Sequence, residues 1–246
     1  MKPLGLIVRE TWGDVVDRRL FHLLPLWCIG VLLAMPLAAS LTLGDPHRGL
    51  LDLGMTAQWL TCSAIAVWLG LSAVGTALED GRAALTLARP VSAATWLAGR
   101  TLGAGSVLTL FILGTEIGWV GAAVFHGLDP HPDLLWGPVL LLGECTVLTT
   151  LAMGLSSAMR STPAGACAIG LWIAGHLADE YGAVSGASVV VFSLVPSLDA
   201  FDAQTPLVTG RGIQALAAGR AMAYSMLWSA AAVALTLMMV RRRDTA

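Results

Sequence analysis

Several stretches of this chain run for about 20 residues with almost no charge, and that limits its fold more than any other feature. Such runs cross a bilayer as helices, because every backbone N–H and C=O must be paired where water does not reach. Composition agrees. The 246 residues are 56% hydrophobic and 12% charged, with a mean hydropathy of +0.75, whereas a soluble domain carries about 25% charged residues. The pattern predicts an all-α integral membrane protein, one domain over residues 1–246, with six transmembrane helices.

The spans are expected near 20–43, 55–78, 100–126, 135–158, 163–178 and 213–240. Pro25 and Pro36 should kink the first span. Gly44–Gly54 reads as a polar turn before the second. Pro163 suits the first turn of the fifth, where its missing N–H costs nothing. Ahead of the first span, residues 1–19 set Leu4, Val8, Trp12, Val15 and Val16 at helical spacing against Arg9, Glu10, Asp14, Asp17 and Arg18. This predicts an amphipathic helix lying in the cytoplasmic interface. Three acids in that flank and the long run behind it argue against a cleaved signal peptide. Residues 179–212 form a long outer segment. The apolar stretch 188–195 within it is too short to cross and reads as a re-entrant or interfacial piece ended by Pro196.

Six spans put both termini on one side, and the basic residues choose which. One side holds Lys2, Arg9, Arg18, Arg19, Arg82, Arg89, Arg100, Arg160, Arg241, Arg242 and Arg243; the other holds Arg48, Arg211 and Arg220. The positive-inside rule then makes both termini and the 79–100 loop cytoplasmic, in a bacterial inner membrane. No internal repeat supports the inverted-repeat architecture of many secondary transporters. Net charge is −2 and no nucleic-acid partner is expected.

The loop from Glu79 to Arg100 is the longest polar break expected in the cytoplasm. Its middle can form a short amphipathic helix capped by Ser92, with Trp96 and Leu97 facing the membrane. Its pattern of an acid, Leu-x-Leu, Arg-Pro-Val-Ser and Trp-Leu-x-Gly-Arg falls on Glu79, Arg82, Leu85, Leu87, Arg89, Pro90, Val91, Ser92, Trp96, Leu97, Gly99 and Arg100. It resembles the loop between the second and third spans of type-2 ABC exporter permeases, especially the multicopper-enzyme maturation (Nos-type) group. The resemblance continues in Gly175-His176, Pro196–Phe201 and the terminal Arg-Arg-Arg-Asp. It implies a permease subunit coupled to a separate cytoplasmic ABC ATPase, which would bind ATP and Mg, together with a second permease copy or close relative and a periplasmic accessory protein. The coupling residues implied are Glu79, Arg82, Arg89, Pro90, Val91, Ser92 and Trp96, with Pro90–Leu97 seated in a cleft of the ATPase. No cofactor is expected in this chain. Lys2 is the only lysine, so no P-loop can be built here.

Other chemistry is sparse. Cys28, Cys62, Cys145 and Cys167 lie in apolar runs, show no C-x-x-C and read as packing residues. His126, Asp129, His131 and Asp133 are weak candidates for a surface metal site; Asp129-Pro130 and His131-Pro132 are also ordinary turn chemistry. Gly99/Gly103 and Gly114/Gly118 each form a G-x-x-x-G, which lets helices approach closely. Glu116 and Glu144 fall near mid-depth of adjacent spans, where a carboxylate needs a partner, a cavity or a proton. Hydroxyls of Thr115, Thr146 or Thr149 are the expected partners, and the two carboxylates are expected at one level. They are the candidate transport path. Two rival readings use the same groups: a membrane-embedded enzyme built on Glu116, Glu144 and His176, and a proton-coupled carrier.

Overall fold

The computed structural model describes residues 3–17, 19–41, 46–88, 91–127, 131–182 and 195–244. These form helices and connecting turns, with no strand among the described residues. Helix α1 covers Pro3–Asp17. A single turn at Leu20–His22 leads into α2, Leu23–Leu41. Helix α3, Pro46–Gly70, continues through one π-helical stretch, Leu71–Thr76, to Glu79. A short helix α4, Arg82–Leu87, precedes α5, Ala93–Phe125. Helix α6 is Trp136–Ala158, α7 is Ser161–Gly182, the short α8 is Gln204–Val208 and α9 is Ala215–Asp244.

Five of these stretches are long and apolar enough to cross a membrane: 20–40, 47–79, 93–125, 132–158 and 215–242. On α2 and α9, Leu26, Leu33, Met226 and Leu227 are exposed, as lipid-facing side chains are. The chain is therefore a multi-pass membrane protein. Six apolar spans were expected. The stretch near 163–178 is helical, but Ser161, Thr162, Pro163, four glycines and His176 dilute its apolar residues, and it falls short of the other five. The apolar piece at 188–195 lies almost wholly outside the described residues.

Helix α6 is central, packing on α9, α3, α7 and α5. Its register against α9 runs in one direction: Ser225 donates to the Gly143 carbonyl at 2.8 Å, and the Ser157 hydroxyl meets the Met239 sulfur at 3.3 Å. The two helices are thus parallel. Helix α7 runs the opposite way, with Ser161 beside Glu79 and His176 beside Glu144.

The paired glycines seat neighbouring helices. A Cβ on Gly99 would lie 2.7 Å from Ile7 Cγ2, and one on Gly103 would lie 2.7 Å from Thr11 Cβ. Gly114 touches Leu24, and Gly118 touches Cys28. Because both registers rise together, α1 and α2 run parallel to α5. Helix α1 therefore packs against the first turns of α5, with Ile7, Thr11 and Val15 buried. The 33 residues of α5 span about 50 Å at 1.5 Å each, some 20 Å more than a bilayer core of about 30 Å. The excess accommodates α1.

Four local expectations change. Pro25 sits in the first turn of α2, where no intrahelical bond is lost; only Pro36 lies inside the helix. The predicted turn at 44–54 is helical from Pro46, because Leu50 packs into the core at 1% exposure. Ser92 does cap a helix, its hydroxyl accepting from the Thr95 N–H at 3.1 Å, but that helix is the long α5 itself. Trp96 and Leu97 lie in the protein core and do not face lipid, since α1 and its neighbours cover them.

Candidate functional site

Glu144 sits on the middle turn of α6 and is 2% exposed. Isolated there, a carboxylate is expensive. Two helices supply its hydrogen bonds. From α3, the Trp59 indole N–H points at both carboxylate oxygens at 3.0 Å, and the Ser63 hydroxyl lies at 3.5 Å. From α7, the Trp172 indole donates at 3.0 Å and His176 Nε2 lies 3.2 Å from Oε1. The expected threonines do something else. Thr146 donates to the Leu142 carbonyl, Thr149 to that of Ala66, and Thr115 to those of Phe111 and Ile112. A helix carbonyl three or four residues back lies within reach of a threonine hydroxyl, which is where Thr146 and Thr115 turn, whereas Thr149 ties α6 to α3.

His176 continues outward. Its Nδ1 lies 3.4 Å from Oδ1 of Asp199, in a 3₁₀ turn after Leu198. The Leu198 N–H donates to the Gly175 carbonyl at 3.0 Å, and Gly175 has no side chain to keep Leu198 away. The Ser197 N–H donates to the Tyr224 hydroxyl at 2.8 Å, which ties the turn to α9. Phe201 is buried over Gly143. Gln204 reaches α3 at Asp52 and Thr56, and Asp202 accepts from the Gln204 and Thr205 N–H groups to cap α8. These contacts fix the segment 195–208 as a cover over a cavity of about 200 Å³, whose walls include Met55, Trp59, Leu141, Glu144, His176, Asp199, Phe201 and Asp202.

Glu116 has a different setting. Its carboxylate accepts from the Trp119 indole at 3.1 Å, and the same indole donates to Gln58. Gln58 and Trp59 are consecutive on α3, so the two carboxylates meet α3 at one level, as expected. They do not share a site: Glu144 lines the cavity and Glu116 does not.

The residues of the 79–100 stretch gather at the other end of the bundle, beside α1. Asp14 accepts from Arg82 and from Arg100, each at 2.8 Å, and Glu10 accepts from Arg100 as well. Arg100 is 1% exposed, so its charge is held by two carboxylates on one face of α1. Partial burial opposes the charge on Arg82, but Asp14 and Asp80 outweigh it and keep the guanidinium above its ordinary value. Glu79 accepts from the Ser161 N–H at 2.7 Å and the Ser161 hydroxyl at 3.0 Å, capping α7 from the end of α3. Val91 is packed against the core. Trp96 is buried, with Arg100 6.0 Å over its ring, and cannot enter a partner's cleft from this position. Leu85 of α4 is 73% exposed, and Leu6 and Val16 of α1 are exposed at the same end. Arg89 and Pro90 lie outside the described residues.

Of the candidate metal residues, His131 and Asp133 belong to one turn. His131 Nδ1 accepts from the Asp133 N–H at 3.3 Å at the start of a short 3₁₀ turn, and His126 follows the end of α5 beside the Phe125 ring. Asp129 lies outside the described residues. Among the described residues no group of three His, Cys, Asp or Glu side chains is placed to hold a metal. The four cysteines are free thiols.

The cavity site was missed as a unit because Trp59, Glu144, Trp172, His176 and Asp199 are scattered over 141 positions, from 59 to 199. The only sequence signal was a carboxylate, a histidine and tryptophans at matching depths of apolar runs. Comparison with models of known protein families gives no match, and comparison with curated proteins gives none.

Proposed function

We propose that this chain is the membrane-spanning permease subunit of an ATP-driven ABC transporter of the export type, in a bacterial inner membrane. ATP hydrolysis on a separate cytoplasmic subunit would drive substrate movement, or mechanical work, through this one. The observation that carries the reading is the double use of Asp14. By accepting from Arg82 and Arg100 at once, it joins α1, α4 and the first turns of α5 into one charged block. Glu79 ties that block's edge to α7. A push on this end would therefore reach α3, α5 and α7 together.

The coupling surface in this reading is α1 with the exposed α4, and Glu79, Arg82 and Arg100 transmit from behind it. Arg89 and Pro90 would complete it, as the type-2 exporter pattern implies. Helix α7 is the sixth crossing in this proposal. It is 22 residues long, about 33 Å, and its direction opposes that of α6. The parallel course of α6 and α9 supports such a return, and both termini would then lie in the cytoplasm, the side the arginine distribution favours. A second permease copy or close relative, lipid and a periplasmic accessory protein complete the proposed assembly.

The test is gentle purification of the tagged chain from its native membrane, followed by mass spectrometry of what accompanies it. An ABC ATPase is the expected companion. Transport or catalysis by the purified single chain, with no ATPase present in the native complex, would overturn the proposal.

A further inference from the structure

We propose that Glu144, His176 and Asp199 form a reversible proton-binding site that connects the cavity to the buried centre of the bundle. The inference is independent of whether an ATPase drives the chain. It begins with the imidazole. Nε2 faces Oε1 of Glu144 at 3.2 Å and Nδ1 faces Oδ1 of Asp199 at 3.4 Å. An ionised carboxylate only accepts hydrogen bonds, and a neutral imidazole has one donor and one acceptor nitrogen. A neutral ring between two carboxylates would therefore oppose two lone pairs. The geometry requires one more proton than that, held as imidazolium or as a carboxylic acid.

Exposure falls along the chain of groups, from 38% for the Asp199 side chain to 23% for His176 and 2% for Glu144. That is a route from water to the interior with one hydrogen-bonded step at each nitrogen. The other charged or titratable groups around it are few. The cover segment presents Asp202 at the cavity wall. Helix α3 presents the Trp59 indole, the Ser63 hydroxyl and the Cys62 thiol; α6 adds Cys145 behind Glu144; α9 presents the Tyr224 hydroxyl, already engaged with Ser197. Among the described residues that line the cavity there is no arginine or lysine.

The transfer balances without any further reactant. A proton taken up from water by Asp199 passes from Oδ1 to Nδ1 of a ring protonated at Nε2. The Nε2 proton then passes to Oε1 of Glu144. The O–H bond of Asp199 and the Nε2–H bond break; an Nδ1–H and an Oε1–H bond form. Asp199 ends as carboxylate, the ring ends neutral and Glu144 ends neutral. The reverse path returns the proton. While Glu144 is ionised, its bonds from the Trp59 and Trp172 indoles are charge-assisted; once it is neutral they weaken, and α3 and α7 lose part of what holds them to α6.

Two indoles report directly on the ring. The centroid of His176 lies 5.0 Å from Trp59 and 5.9 Å from Trp172, both edge-on. Imidazolium quenches indole emission more strongly than imidazole does. The full-length chain in lipid nanodiscs should show a stepwise rise in tryptophan emission as pH increases. His176→Gln should abolish the step. Asp199→Asn, at the half-exposed mouth where refolding is least at risk, should move it to lower pH by about one unit, because one of the two anions holding the proton is gone. Infrared difference spectra of the same samples should show a protonated-carboxyl band on acidification that is lost in Glu144→Gln. A step of unchanged size and midpoint in Asp199→Asn, or a carboxyl band that survives Glu144→Gln, would overturn the proposal.

Discussion

Asp14 and Arg100 lie 2.8 Å apart, on α1 and α5, with the guanidinium buried and the carboxylate a quarter exposed. The asymmetry predicts which partner is dangerous to remove. Arg100→Met leaves Asp14 and Glu10 able to rehydrate. Asp14→Asn with Glu10→Gln leaves a buried cation with no anion, a loss in the range of about 3–5 kcal/mol for breaking a buried pair from one side. Thermal unfolding in detergent should therefore show a larger drop for the double acid variant than for Arg100→Met. Equal drops would mean that Arg100 is hydrated.

The glycines beneath α1 give a sharper contrast. Gly99→Ala and Gly103→Ala place a methyl 2.7 Å from Ile7 Cγ2 and from Thr11 Cβ. Each should cost about 1–3 kcal/mol through overpacking and should lift α1 off α5. Gly105→Ala meets nothing within 4 Å and should be neutral or stabilising by up to about 1 kcal/mol, because alanine suits a helix interior better. Limited proteolysis near Arg19, together with melting temperature, reads both effects. If all three variants behave alike, α1 does not pack as described.

These contacts also show what one sequence can disclose. The cap at Ser92 and the small-residue pairs were legible because both signals are local: a hydroxyl three residues from the N–H it accepts from, and glycines four apart on one helix face. Trp96 was misread for the same reason. It was expected to face the membrane, and packing against residues distant in sequence buries it instead. Glu144 was legible as a group that must have a partner. Its partners were not, since Thr146 satisfied its own helix carbonyl and Thr149 that of Ala66 on α3, while indoles 85 and 28 positions away turned inward.

The cap on α7 yields a third prediction. Glu79 satisfies the Ser161 N–H from another helix, in the place where an N-cap side chain normally acts. Glu79→Ala should fray the first turn of α7, while Glu79→Gln retains an acceptor and should fray it less. Hydrogen exchange of the peptide containing residues 159–165 is the measurement. Unchanged protection in Glu79→Ala would show that another group caps that turn.

Orientation can be tested without any substrate. A reporter fused after Ala246 should report cytoplasm, and one inserted near Asp129 should report the outside. Both follow from the arginine distribution and from α7 acting as a crossing. Signals from opposite sides are required; a C-terminus outside the cytoplasm would leave five crossings as the better count.

The last prediction separates the two intramembrane carboxylates. Glu116 receives the Trp119 indole from its own helix, the same indole donates to Gln58 of α3, and Glu116 is not among the residues lining the cavity, so it is expected to tie α5 to α3. Glu116→Gln keeps an acceptor for that indole and should leave assembly and transport near wild type. Glu144 receives donors from two other helices and touches the cavity. Glu144→Gln preserves one acceptor oxygen, so the fold should persist with a loss of about 1–3 kcal/mol from the weakened indole bonds, yet transport should fall because the group no longer ionises. Transport assayed in reconstituted vesicles, normalised to correctly assembled complex, decides between them. Equal transport in the two variants would make both carboxylates structural ties, and a larger loss in Glu116→Gln would move the path to the α3–α5 side of the bundle.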